Sequence, residues 1–205
     1  MKATLTSFTQ DELYRLLAHM REHDPQLHTM ALLSLNHGMR RGEILALEPK
    51  AFREGRITFI RLKGSLPCSA QKVRAHAVPE YNEAQAVDML LKQSHKILPD
   101  GRVLLFDMGE NTVAAEKQIN RLMVRYCEAV GIPRHKAHWS SFKHTCGKML
   151  VDTLGVPALQ VHLGHVEVKN TLVYTKPSAD EVEATLDAAF AQDRAMGVGA
   201  GAGGD

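Results

Sequence analysis

The apolar positions of this chain repeat at helical spacing along most of its length, and at one place the period changes clearly to two. That place is Arg56-Ile57-Thr58-Phe59-Ile60-Arg61, rich in β-branched residues, which reads as a strand. Val73 to Val78 is its candidate partner. The loop between them, from Lys63 to about Lys72, holds the breakers Gly64 and Pro67. One strand pair among many helices restricts the fold class. The expected architecture is α+β: mostly helical, with one small antiparallel sheet.

The helices have local start and stop signals. Thr9-Gln10-Asp11-Glu12 is a capping box, followed by Leu13, Leu16, Leu17 and Met20 on one face. A second apolar helix is expected from Gln26 to Asn36, with Gly38 as its C-terminal punctuation. Residues 41–47 form a short helix stopped by Pro49. After the sheet a helix runs from Asn82 to about His95, and another from about Thr112 to Val130, ending at Gly131-Ile132-Pro133. Val103-Leu104-Leu105-Phe106 is apolar but of ambiguous type. Helices are then expected over 140–153, 157–163 and 167–175. Ser178-Ala179-Asp180-Glu181 is another capping box and opens a last helix to Gln192, with Val182, Leu186 and Phe190 on its apolar face. Gly197 to Asp205 is a glycine-alanine tail of the kind that stays disordered. Nothing divides residues 1–196 into two domains.

Composition narrows the partners. Aromatic residues make up 5% of the chain, so the core must be mainly aliphatic. Cys68, Cys127 and Cys146 are odd in number and widely spaced, which argues against a disulfide framework. The sequence has no apolar run of membrane-spanning length, and Met1 to Thr6 lacks an apolar signal region, so a cytoplasmic protein with no membrane partner is expected. The net charge of +2 conceals an asymmetry. Residues 179–205 hold six acids and one base, leaving 24 bases against 17 acids in the remainder. A body with that surplus suits a phosphate backbone.

Two segments carry a more specific signal. Gly38-Met39-Arg40-Arg41-Gly42-Glu43-Ile44-Leu45-Ala46-Leu47 lies upstream, and Leu163-Gly164-His165, with Tyr174 nine residues after the histidine, lies downstream. Together they resemble the catalytic domain of the tyrosine recombinases, the phage integrase family, over about residues 5–192. Within that family the short invertases that switch fimbrial promoters are similar in consisting of little more than this domain.

The resemblance implies double-stranded DNA as partner and strand cleavage and rejoining through a 3′-phosphotyrosyl intermediate, with no cofactor or metal. Tyr174 is the implied nucleophile. Arg40 contacts the scissile phosphate, because a guanidinium fork matches two phosphate oxygens, and Glu43 orients it from the same helical face. Lys63 is the implied general acid for the leaving 5′-oxygen, with Lys72 as the competitor. His165 binds a nonbridging phosphate oxygen. The last helix is expected to dock into a neighbouring protomer, giving dimers or tetramers on DNA.

The remaining family box, His-x-x-Arg-His-Thr, is altered here to Ser140-Ser141-Phe142-Lys143-His144-Thr145. Serine replaces the histidine, and Lys143 keeps the arginine's charge but loses the fork. His138 is the candidate substitute for the missing histidine. Arg41, Lys72, Arg134, Lys136, His144 and Lys148 are expected to face DNA. A zinc site from His135, His138, His144 and Cys146 fits no common template. The departures at 140 and 143 also motivate a rival expectation: a recombinase-fold DNA-binding regulator that does not cut. A helical enzyme or scaffold unrelated to DNA is the third alternative.

Overall fold

The structure is a computed structural model that describes residues 6–62, 70–108 and 112–175, together with 182–183 and 186–187. Its helices are α1 (Gln10–His23), α2 (Pro25–His37), α3 (Arg41–Leu45), α4 (Glu83–Leu91), α5 (Thr112–Ala129), α6 (Ser140–Leu163) and α7 (Lys169–Leu172). The strands are β1 (Phe52–Arg53), β2 (Arg56–Ile57), β3 (Gln71–Lys72), β4 (Lys96–Ile97) and β5 (Val103–Leu104).

The chain builds outward from α2. Its N-terminus is capped by Asp24, whose side chain accepts from the Leu27 N–H, and Pro25 fits the first turn, where no N–H partner is needed. Leu27 to Leu35 are all buried, so this helix is enclosed on every side. It packs against α1, α4 and α6. The α1 capping box forms as expected: Thr9 Oγ1 accepts from Glu12 N–H, and the Glu12 carboxylate accepts from Thr9 N–H. Leu13, Leu16, Leu17 and Met20 then face α2 with essentially no exposure. Fully burying each such side chain contributes roughly 1.5–3 kcal/mol.

The sheet differs from the expectation. The strand expected over 56–61 pairs only at Arg56 and Ile57, on two sides. Its partners are β1, through a tight turn at Glu54-Gly55, and β3, which ends before the expected 73–78. A second two-stranded antiparallel sheet joins β4 to β5, settling the ambiguous run at 103 as a strand. Small differences also occur at helix ends. α3 stops at Leu45 and α4 at Leu91. α6 is two helices meeting at Gly155, whose φ of 69° and ψ of 166° break the helix, close to the expected gap between 153 and 157. The expected helix over 167–175 is one turn of α7 followed by a 3-10 turn, Val173–Thr175. Most of the expected last helix, 178–192, and the whole 197–205 tail lie outside the described residues. Among the described residues no helix is long and apolar enough to cross a membrane.

Candidate active site

α2 ends at Gly38 in the left-handed conformation, φ 59°. A Cβ there would fall 2.3 Å from Leu163 Cδ2, so the turn and the close approach of α6 both require glycine. The turn aims Met39 into the core and leaves Arg40 extended at the start of α3, half-buried.

Glu43 lies one turn into α3 with a fully buried side chain. Its carboxylate accepts from Arg40 N–H at 2.8 Å, Arg40 Nη1 at 2.9 Å, Leu62 N–H at 3.0 Å and Arg61 Nη1 at 3.2 Å. Burial pushes its pKa up, but the two backbone N–H groups and the Arg61 charge outweigh that and hold it below the ordinary value. Arg61 is the residue that sequence reasoning missed. It closes the alternating run Arg56–Arg61, where the sequence singles out no role for it, yet its side chain is 1% exposed. It also donates to the carbonyls of Gly38 (3.0 Å), His37 (2.8 Å) and His162 (2.6 Å). One guanidinium thus ties α2, the chain after β2 and the end of α6 together.

The opposite wall comes from α6 and α7. Ser140 is exposed at the start of α6, and Lys143, one turn on, is buried. Lys143 Nζ donates to Leu163 O at 3.1 Å. Burial, reinforced by the nearby Arg40 and Arg61 charges, lowers its pKa to about 7. His165 follows the left-handed Gly164 and is buried, with Nδ1 2.9 Å from Thr171 Oγ1. Burial first, then the Lys143 and Arg40 charges, take its pKa to about 4. Tyr174 is 5% exposed, and its ring lies nearly parallel to that of His165, 6.3 Å between centroids. A Cβ on Gly147 would sit 2.7 Å from that tyrosine ring, so glycine at 147 lets Tyr174 settle against α6. The Tyr174 hydroxyl is 3.2 Å from His144 Nδ1, and burial raises the tyrosine pKa.

Arg40, Lys143, His144, His165 and Tyr174 line one cavity of about 960 Å³, with Ser140 and His138 also on its wall. The two sequence boxes, far apart along the chain, therefore meet. Lys63 lies outside the described residues, and Lys72 is exposed on β3 away from the cavity lining. The other basic candidates divide. Arg41 lines the cavity but pairs with Glu116 at 2.8 Å. Lys136 is held by Glu12 at 2.8 Å, clamping the α1 capping box, and exposed Arg134 pairs with Glu128 at 3.0 Å. Lys148 is half-buried farther along α6. Among the described residues no group of histidine, cysteine and acidic side chains has metal-holding geometry. Cys127 and Cys146 are free and buried, and Cys68 lies outside the described residues.

Solved structures share this fold. XerA recombinase is 17% identical, with a TM-score of 0.64 over 90% of this chain and 64% of its own. XerH site-specific recombinase, bound to a palindromic difH substrate, is 17% identical, with a TM-score of 0.62 over 91% of this chain and 53% of its own. The catalytic domain of bacteriophage HP1 integrase is 20% identical, with a TM-score of 0.53 over 89% of this chain and 94% of its own. This chain therefore spans less than two thirds of the XerA and XerH chains, and nearly all of the HP1 catalytic domain. No curated protein matches its sequence. The model of the phage integrase family matches residues 6–181, nearly all of the described structure, and the chain belongs to that family.

Proposed function

We propose that the protein is a site-specific DNA recombinase that cuts and rejoins double-stranded DNA through Tyr174. The observation that carries this reading is the convergence of a tyrosine hydroxyl, an arginine, a lysine and a histidine on one cavity. Attack on a phosphodiester needs a hydroxyl in line and cations around the developing phosphorane charge. Arg40, anchored by Glu43, supplies a fork for two phosphate oxygens, and Lys143 supplies a point charge opposite it. His165 binds a nonbridging oxygen. Lys63, on the sequence pattern alone, protonates the leaving 5′-oxygen. The 3′-phosphotyrosyl bond conserves the energy of the broken diester, so rejoining needs no nucleotide. XerH bound to its difH substrate supports DNA as the partner, and the last helix is the proposed contact between protomers on DNA.

A second reading has its own observation. Lys143 is desolvated to a pKa of about 7, so its charge is only partly present at neutral pH before a phosphate arrives. A missing oxyanion donor costs on the order of 10²–10³ in rate, and this favours a DNA-binding regulator with little cleavage. Incubation with duplex DNA flanking its own coding sequence, followed by SDS, separates the two. The recombinase reading expects protein-linked DNA from wild type and none from Tyr174→Phe. Retained DNA binding without adducts from wild type or Lys143→Arg overturns it in favour of the regulator.

A further inference from the structure

We propose that His144 is the catalytic base that accepts the Tyr174 proton, a role that rests on the recombinase reading above. The tyrosine hydroxyl must lose its proton as it attacks, yet burial raises its pKa and works against spontaneous ionisation. A neighbouring acceptor is therefore required. Among the described residues, the side chain hydrogen-bonded to the hydroxyl is His144, Nδ1 to Oη at 3.2 Å, within reach of a proton transfer.

The other candidates are engaged or unsuited. His165 Nδ1 faces Thr171 Oγ1, and Lys143 donates to the Leu163 carbonyl. Ser140 is exposed at the helix start and is too weakly basic to take a proton near neutrality. His138 is exposed on the cavity wall and is not hydrogen-bonded to Tyr174. His144 sits on α6 one turn before Gly147, the residue that lets the Tyr174 ring lie against the helix, so the same helix face places acceptor and nucleophile together. Burial and the adjacent Lys143 charge keep the imidazole neutral at pH 7, which is the form that accepts.

In the forward step the Tyr174 Oη–H proton passes to His144 Nδ1. The Oη electron pair forms the new bond to phosphorus. The bond from phosphorus to the 5′-oxygen breaks, and that oxygen leaves with the pair and is protonated by a general acid or water. In the rejoining step a DNA 5′-hydroxyl attacks phosphorus and gives its proton to the conjugate base of that acid or to water. The bond from phosphorus to Oη breaks, and Oη leaves with the pair and takes its proton back from His144.

The test uses the full chain and nicked duplex oligonucleotides tiling the DNA around its own coding sequence, with the initial rate of SDS-resistant adduct as readout. His144→Gln and His144→Ala are expected to bind the duplexes within about threefold of wild type while forming adduct about 10²–10³-fold more slowly. Added imidazole restores part of the rate in His144→Ala and none in Tyr174→Phe, and thermal unfolding shows that the variants remain folded. A rate in His144→Gln within threefold of wild type, or a loss in His144→Ala that imidazole leaves unchanged, overturns the assignment alone. Absence of adduct from wild type on every duplex overturns the recombinase reading and the assignment with it.

Discussion

The two walls of the cavity are built on opposite principles. On the α3 wall, Glu43 and Arg61 have side chains 0% and 1% exposed, and Glu43 accepts four hydrogen bonds. On the α6 wall, Lys143, His165 and Tyr174 are buried as well, but Lys143 donates to the Leu163 carbonyl alone and all three have their charged forms disfavoured. A buried ion pair whose carboxylate and both Arg61 Nη groups are engaged makes a rigid mount. Buried charge with sparse pairing costs stability and keeps groups ready for a ligand. The comparison teaches that Arg40 is positioned by its own surroundings, whereas on the proposed function the α6 wall is left for a phosphate to complete.

The largest expected effect comes from breaking the mount. Glu43→Gln leaves Arg61 charged and buried without its carboxylate, and costs about 3–5 kcal/mol in a denaturant titration. A loss below about 1 kcal/mol would mean that the carbonyls of Gly38, His37 and His162 satisfy Arg61 by themselves. The next effect is steric and belongs to the other wall. Gly147→Ala drives a methyl into the Tyr174 ring and is expected to cost about 1–3 kcal/mol. It also displaces the hydroxyl from His144, so adduct formation falls while the Arg40 side is untouched.

These two variants also show what was legible in the sequence. Arg40 and Glu43 lie within one helical turn, so a local box reveals them. Arg61 is tied to Glu43 across 18 positions and to His162 across 101, and no local pattern records such a pairing. His144 and Tyr174 are separated by 30 positions and meet because α6 carries a glycine one turn beyond the histidine. The helices were readable from their caps and apolar spacing, with α1 and α2 as the clearest cases. The strands were readable only in part: β2 lies at the start of the alternating run 56–61, while β1, β3 and β4 left no pattern of their own. Each pairs over two residues, and the β1–β2 turn uses Glu54 at φ 50°, where asparagine or aspartate would have advertised it. β4 carries a lone apolar residue, Ile97, too little for an alternating signal.

Smaller effects sharpen the contrast. Lys143→Met removes the desolvated charge and is expected to raise stability by about 1–2 kcal/mol at pH 6 while abolishing adduct formation. The sign follows from a folded pKa of about 7, below the ordinary lysine value. The penalty on the folded state is complete below that pH and fades as pH rises toward the unfolded pKa, so the gain in melting temperature shrinks by pH 9. A destabilised Lys143→Met at pH 6 would place Lys143 among the fully compensated groups. Lys143→Arg keeps its charge throughout. The ratio of its kcat/KM for adduct formation to that of wild type therefore rises about tenfold between pH 6 and pH 8, as free Lys143 loses its proton. A flat ratio would show that Lys143 acts in the free protein with an ordinary pKa.

The central claim is that Tyr174 is the atom source of a covalent bond to DNA. The direct measurement is to trap the adduct from wild-type protein, trim the DNA with nuclease, digest the protein and locate the nucleotide-bearing peptide by mass spectrometry. The account predicts a 3′-linked nucleotide on the peptide that contains Tyr174. A nucleotide on any other residue, or a protein that binds its flanking DNA with steep salt dependence yet yields no nucleotide-bearing peptide, would contradict it.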